Sequence, residues 1–186
     1  MIKPHFVGTD IHLFTKYVNT AKTYFEFGSG GSTYFTANIP SIDNIYSVES
    51  DMEWFSKLNA DLSNRITIKY VDICALPKNW GNPGPDATDD MKRNYTDSIY
   101  DVSDKHIDVM LIDGRFRVAC GLKSFNVLDD ESYLIIDDYL NRPGYHILNN
   151  YYDIVERGNV MVVMKKKKDI SPPTQEIISK YELKHG

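Results

Sequence analysis

Glycines and carboxylates recur at positions suited to ligand chemistry. Glu26-Phe27-Gly28-Ser29-Gly30-Gly31-Ser32-Thr33 follows an apolar run and leads into a helical one. Glycines let the backbone approach a ligand closely and take positive φ, and a helix start offers N–H groups to a carboxylate or phosphate. A tight strand–helix connection without a ligand uses the same residues, and Thr33 occupies the third glycine position of a dinucleotide fingerprint. Glu49 stands 21 residues beyond Gly28, at the end of the next apolar run. A carboxylate there accepts both hydroxyls of an adenosine ribose; a solvated loop acid is the other reading. Asp72, Asp113 and Asp137-Asp138 close three further apolar runs. In an open parallel sheet the ligand lies outside the carboxyl ends of the strands, which is where all these acids fall.

The elements that must carry them follow from periodicity. Helical spacing predicts a first helix over Asp10–Lys22, with Thr9 or Asp10 as its cap. Strands are expected at Thr23–Phe27, Asn44–Val48, Ile66–Val71, Ile107–Ile112 and Tyr133–Ile136. Between them, helices are expected at Ser32–Asn38, Met52–Leu62 and about Arg115–Leu128. Tyr145–Tyr151 reads as a short helix. Two closing strands, Tyr152–Val155 and Asn159–Met164, turn at Arg157-Gly158, too close for a crossover, so they pair antiparallel. The fold class is therefore α/β, a mostly parallel seven-stranded sheet with an antiparallel last strand and helices on both faces. One domain spans residues 1–186. Residues 73–106, holding Pro77, Trp80, Gly81, Pro83, Gly84 and Pro85, read as an irregular insertion or lid with a helix around Asp89–Tyr100, and residues 169–186 as a tail with one short helix.

Composition narrows the function classes. With 186 residues, 42% hydrophobic and 25% charged, the chain suits a single globular domain rather than a disordered or membrane-embedded one. No run reaches a membrane span, and Met1-Ile2-Lys3-Pro4-His5 lacks a signal-peptide core. Cys74 and Cys120 are too few for a disulfide framework or zinc cluster, so a reducing, cytoplasmic setting is expected. The net charge of −5 disfavours a nucleic-acid partner. Nine acids against four bases between Asp72 and Asp113 account for all of it. Lys165-Lys166-Lys167-Lys168 reads as the solvated end of a strand.

Glu-x-Gly-x-Gly after the first strand, an acid ending the second and Asp72 ending the third resemble the class I S-adenosylmethionine-dependent methyltransferases, over roughly Thr23 to Met164. The resemblance implies that Gly28, Ser29 and Gly30, with Ser32 and Thr33, take the methionyl part of S-adenosyl-L-methionine. It implies that Glu49, with Ser50, takes the ribose, and Asp72, with Ile73, the adenine. Glu26 and Asp113 match the family's acids in the glycine motif and after the fourth strand. A closer likeness lies in Val48-Glu49-Ser50-Asp51, Trp80-Gly81-x-Pro83 and Asp113-Gly114-Arg115-Phe116-Arg117-Val118-Ala119-Cys120, which resemble a small, poorly characterised methyltransferase-like family. Asp-Gly after the fourth strand with Asp137-Asp138-Tyr139 after the fifth is similar to metal-dependent sugar O-methyltransferases.

That likeness sets the chemical expectations. An alcohol nucleophile must lose a tightly held proton, and Asp113, Asp137 and Asp138 offer hard oxygens to a cation such as Mg2+ or Mn2+ that would lower its pKa. Alternatively, the aspartates cap the next segment or orient the methionyl amine. Without a metal, a base is needed, with His146, Tyr139 or an unpaired aspartate as candidates. Arg115 or Arg117 pairs with Asp137, binds an anionic substrate group, or forms a surface ion pair. Trp80, Trp54 and Tyr95 are candidate stacking faces, Trp80 foremost. Cys120 reads as packing. The expected activity is O-methylation of a hydroxyl on a sugar, glycan or other small molecule, with no nucleic-acid or membrane partner and a homodimer as a compatible assembly. The rivals are a nucleotide-dependent enzyme on a related sheet and a catalytically silent cofactor-binding or scaffold protein.

Overall fold

The apolar runs assemble into one seven-stranded sheet, described in a computed structural model over residues 2–62, 65–76 and 79–184. Pro77 lies outside the described residues. The strands are β1 (Thr23–Phe27), β2 (Asn44–Glu49), β3 (Ile66–Tyr70), β4 (Val109–Ile112), β5 (Tyr133–Ile136), β6 (Tyr152–Arg157) and β7 (Val162–Lys166). Their order is β3-β2-β1-β4-β5-β7-β6. The pairs among β1 to β5 are all parallel, and β7 runs antiparallel between β5 and β6. This is the Rossmann-like architecture of the methyltransferase resemblance, with strand order reversing about β1.

Side chains on β1 alternate across the sheet, as the pleat requires. Phe25 and Phe27 enter a layer with Ile99, Phe116, Leu122 and Phe125, while Tyr24 enters the opposite layer with Phe14, Val18, Ile42 and Leu111. Each fully buried Phe, Leu or Ile in these layers contributes about 1.5–3 kcal/mol relative to exposure. The helices are α1 (Asp10–Val18), α2 (Gly31–Ala37), α3 (Met52–Asp61), α4 (Asp89–Asp97), α5 (Arg117–Ser124) and α6 (Gln175–Tyr181). Single 3-10 helices span Ser98–Val102 and Pro143–Asn150.

Several boundaries differ from the sequence reading for local reasons. The first helix stops at Val18 instead of Lys22, where the Thr20 hydroxyl donates to the Tyr17 carbonyl. Neither Thr9 nor Asp10 caps it through a side chain. The Asp10 carboxylate is buried and instead accepts the backbone N–H groups of Asn159, Val160 and Met161, tying the β6–β7 turn to the N-terminal helix. The segment 73–106 is also less of a lid than expected. Thr88 caps α4 by accepting from the Met91 N–H, and Tyr95, Ile99 and Val102 are buried in the main core. The lysine run is also engaged. Lys165, Lys166 and Lys167 donate to the carbonyls of Asp130, Leu128 and Asn149.

Candidate functional site

A cavity of about 940 Å³ opens above the carboxyl ends of β1, β2, β4 and β5, at the point where strand order reverses. Its floor is the glycine turn. Gly28 has φ +92°, and a Cβ on it would lie 2.6 Å from the Gly114 nitrogen, so only glycine lets the ends of β1 and β4 meet this closely. Glu26 holds the turn from beneath. Its carboxyl is fully buried and accepts from the hydroxyls of Tyr24 (2.8 Å), Ser32 (2.7 Å), Ser47 (2.8 Å) and Thr33. Burial pushes its pKa up, while these hydroxyl bonds pull it down. Thr33 Oγ1 also accepts the Gly30 N–H at 2.8 Å. Glu26 and Thr33 thus stand beneath the cavity, their polar atoms spent on one another; they shape the cradle without lining it.

Glu49 lines the cavity at the end of β2. One carboxylate oxygen accepts the backbone N–H groups of Ser50 (2.7 Å) and Asp51 (2.8 Å), which aims the group. Burial nevertheless carries its pKa up to about 7. Asp51 caps α3 through the Trp54 N–H, and the Trp54 indole N–H donates to the Ser29 carbonyl at 2.6 Å. Trp54 therefore joins the capped start of α3 to the glycine turn.

Across the cavity, the β4 and β5 ends carry the three aspartates expected to hold a metal. A guanidinium stands among them. Arg117 Nη2 lies 3.0 Å from an Asp113 carboxylate oxygen, and Nη1 lies 3.4 Å from Asp138 and 3.8 Å from Asp137. The same side chain donates to the carbonyls of Gly114 (3.1 Å), Asp137 (2.7 Å) and Asp113 (3.2 Å). Two left-handed residues, Phe116 (φ 54°) and Asp138 (φ 59°), make the turns that bring these groups together. The metal reading of Asp113, Asp137 and Asp138 is therefore corrected. Arg117 supplies the positive charge that a cation would have brought, and no metal-binding group of three or more such side chains occurs among the described residues. Burial and the neighbouring Asp113 carboxyl raise the pKa of Asp137, burial also raises that of Asp113, and Arg117 opposes both shifts. The buried Asp137 Oδ1 meets no donor, which one proton held between the two acids would remedy.

Arg115 has a different setting. Its backbone N–H donates to the Tyr95 hydroxyl and its Nη1 to Asn82 Oδ1 at 2.9 Å, so the side chain lies along the cavity wall. Arg142, Tyr145, Trp54, Trp80 and residues 2–7 complete the lining. The N-terminal segment is a wall that the sequence reading missed. Phe6 packs on Phe14 (5.1 Å between ring centroids), and His5 faces Trp80 (5.7 Å). The apolar Phe6 ahead of α1 was the available signal.

The structure thus brings Gly28, Ser29, Gly30, Ser32, Glu49, Ser50, Asp113, Arg115, Asp137 and Asp138 to one cavity. Besides Glu26 and Thr33 beneath it, three expected residues stand outside the cavity. The Asp72 carboxylate accepts the Cys74 N–H and borders a separate hollow with Lys69 and Tyr70. Ile73 is fully buried in the core. His146 is exposed on the second 3-10 helix, with Nε2 3.2 Å from the Tyr139 carbonyl, and does not line the cavity. Cys120 is buried packing in α5, where burial pushes its thiol pKa up.

No family model matches the sequence, and no curated protein matches it. Among solved structures the class of fold is that of the S-adenosylmethionine-dependent methyltransferases. A methyltransferase-like protein from Silicibacter pomeroyi is similar at a TM-score of 0.79 and 25% identity, with 98% of each chain covered. An rRNA methylase from Streptococcus thermophilus is similar at a TM-score of 0.55 and 10% identity, covering 87% of this chain and 99% of its own. The ribosomal protein L11 methylase of Lactobacillus delbrueckii is similar at 0.53 and 12%, covering 89% and 84%.

Proposed function

We propose that the chain is an S-adenosylmethionine-dependent methyltransferase acting on a hydroxyl of a small acceptor, with a sugar or glycan as the leading class. The observation that carries this reading is Glu49. It is a carboxylate aimed by two backbone amides into a cavity floored by Gly28–Gly30, on a sheet with the methyltransferase strand order. A ribose diol beside Glu49 would donate to it, and the glycine turn leaves room for the amino-acid end of the cofactor. When bound, S-adenosyl-L-methionine supplies a methyl group on a positively charged sulfur.

The chain's own residues would do the rest. Glu49 and the glycine turn position the nucleoside, and Arg117 fixes the β4 and β5 ends so that Asp113 and Asp138 keep one geometry. Asp137, raised above the usual carboxylate range, is the group that would receive the hydroxyl proton, in the ionised form that grows as pH rises, so methyl transfer should increase toward alkaline pH. Trp54 and Trp80 give the rim two apolar faces of the kind a sugar ring packs on.

Parallel calorimetric titrations with S-adenosylhomocysteine and NAD test the first half of this reading. Saturable binding of the former alone is expected. Failure of both S-adenosylmethionine and S-adenosylhomocysteine to bind would refute it. For the second half, Asp137→Asn should abolish methyl transfer to a sugar acceptor while leaving S-adenosylhomocysteine affinity within about two-fold. Activity surviving that change would remove Asp137 as the base.

A further inference from the structure

The cavity is lined by three arginines, and their charges are balanced unequally. Arg117 is consumed by Asp113, Asp137 and Asp138, and Arg142 lies 3.6 Å from Asp138. Arg115 forms no ion pair among the described residues, although its guanidinium is partly buried in the cavity wall. Its side-chain hydrogen bond goes to the neutral Asn82, and its Nε–H is buried with no partner at all. An orphaned guanidinium N–H costs the fold desolvation without return, and a positive charge withdrawn from water calls for a counter-charge. The nearest acids cannot serve, because Arg117 already holds them. Asn82 meanwhile accepts from its Nη1, so the charge is held in place rather than left free to swing into solvent.

We infer that Arg115 is an anion subsite for the acceptor, and that the physiological acceptor is an acidic hydroxyl compound whose carboxylate or phosphate group pairs with this guanidinium. Within the methyltransferase reading, on which this inference rests, the acceptor's acid is held at Arg115 and its hydroxyl is turned toward the β5 end, where Asp137 stands. One other group could claim the charge, the cofactor's own carboxylate. Arginine's planar fork suits carboxylate and phosphate alike, so the test includes both anions.

The test uses the full chain saturated with S-adenosylhomocysteine and titrated with inorganic phosphate and, separately, with acetate. Nitrogen–proton spectra would follow the Arg115 Nε–H and the backbone amides of Asn82 and Gly114. A saturable shift at these three sites with at least one anion is expected, with S-adenosylhomocysteine still bound. In Arg115→Gln the anion affinity should fall roughly ten-fold or more, while S-adenosylhomocysteine affinity changes by less than about two-fold. The anion that saturates at lower concentration identifies the acceptor's acid as carboxylate or phosphate. Displacement of S-adenosylhomocysteine by the anion would assign Arg115 to the cofactor's carboxylate and overturn the inference. An absent shift, or one that persists in Arg115→Gln, overturns it as well. Failure of S-adenosylhomocysteine to bind in the first place is a separate readout and refutes the methyltransferase reading instead.

Discussion

Burial holds the Glu49 carboxyl up to about 7 even though two backbone amides pull it down. The folded state therefore binds this proton more tightly than the unfolded chain, whose glutamate titrates near 4.5. The stability contributed by the group is complete below that value and is lost as pH rises through about 7. Accepting two ribose hydroxyls needs the ionised form, so S-adenosylhomocysteine affinity should rise with pH across the same window. In Glu49→Gln the affinity is expected to fall by roughly ten-fold and to lose this pH dependence, as calorimetric titrations at a series of pH values would show. Arg117 poses the reverse problem. Arg117→Met strips the counter-charge from three acids, and about 3–5 kcal/mol of stability should go with it. Urea unfolding measures this loss, and adding Asp113→Asn to the same chain should recover part of it. Glu49 could be placed from its spacing to Gly28, because the end of β2 is a local fact. For Arg117 the sequence offered pairing with Asp137 as one alternative, but not which arginine would pair nor that Asp113 and Asp138 would join, because those acids come from two strand ends brought side by side by the sheet.

At the scale of elements, the N-terminal segment is the piece that periodicity does not reveal. Residues 2–7 form no helix or strand, yet their backbone crosses the start of α2 so closely that a Cβ on Gly31 would overlap the Lys3 carbonyl. Gly31→Ala should therefore push the segment off the cavity wall while the sheet stays folded. Protease cleavage within residues 2–7 should become faster, the Trp80 fluorescence should shift as His5 leaves it, and far-ultraviolet dichroism should not change. Unchanged cleavage would show that the segment does not rest on this glycine. The segment 73–106 teaches the complementary lesson. Its prolines and glycines suggest a lid, but its second half is built into the core. Helix α4 and the 3-10 turn after it bury Tyr95, Ile99 and Val102, and so belong to the layer covering the sheet. Of the described residues of this stretch only Trp80, Gly81, Asn82 and Tyr95 border the cavity, and none is acidic. Two of its acids, Asp97 and Asp101, border with Asp72 the separate hollow at the β3 edge.

For the molecule as a whole, the reversal of strand order about β1 opens the crevice, and the short β7 between β5 and β6 closes the sheet without a further crossover helix. A ligand that binds only the folded state stabilises it by mass action, about 2.7 kcal/mol at a hundred-fold excess over Kd. For a domain of this size each kcal/mol raises Tm by about 2–4 °C. S-adenosylhomocysteine at that excess should therefore raise the melting temperature by about 5–11 °C. The shift should shrink in Glu49→Gln, and thermal denaturation followed by dichroism reads both. No helix among the described residues is long and apolar enough to cross a membrane.

Strand positions, the antiparallel ending, the glycine turn and the acids at the strand ends were all readable from the sequence, because each depends on periodicity or spacing within a few residues. Which of those acids reach the cavity, and which arginine stands among three of them, were not. Asp113, Asp137 and Asp138 read as a cation site until the left-handed turns at Phe116 and Asp138 swing Arg117 into their midst. Asp72 sits at a strand end like the others, yet its carboxylate turns to the Cys74 amide and away from the crevice. Ion pairing and burial join residues distant along the chain, so they are settled only when strand order and turn handedness place side chains face to face.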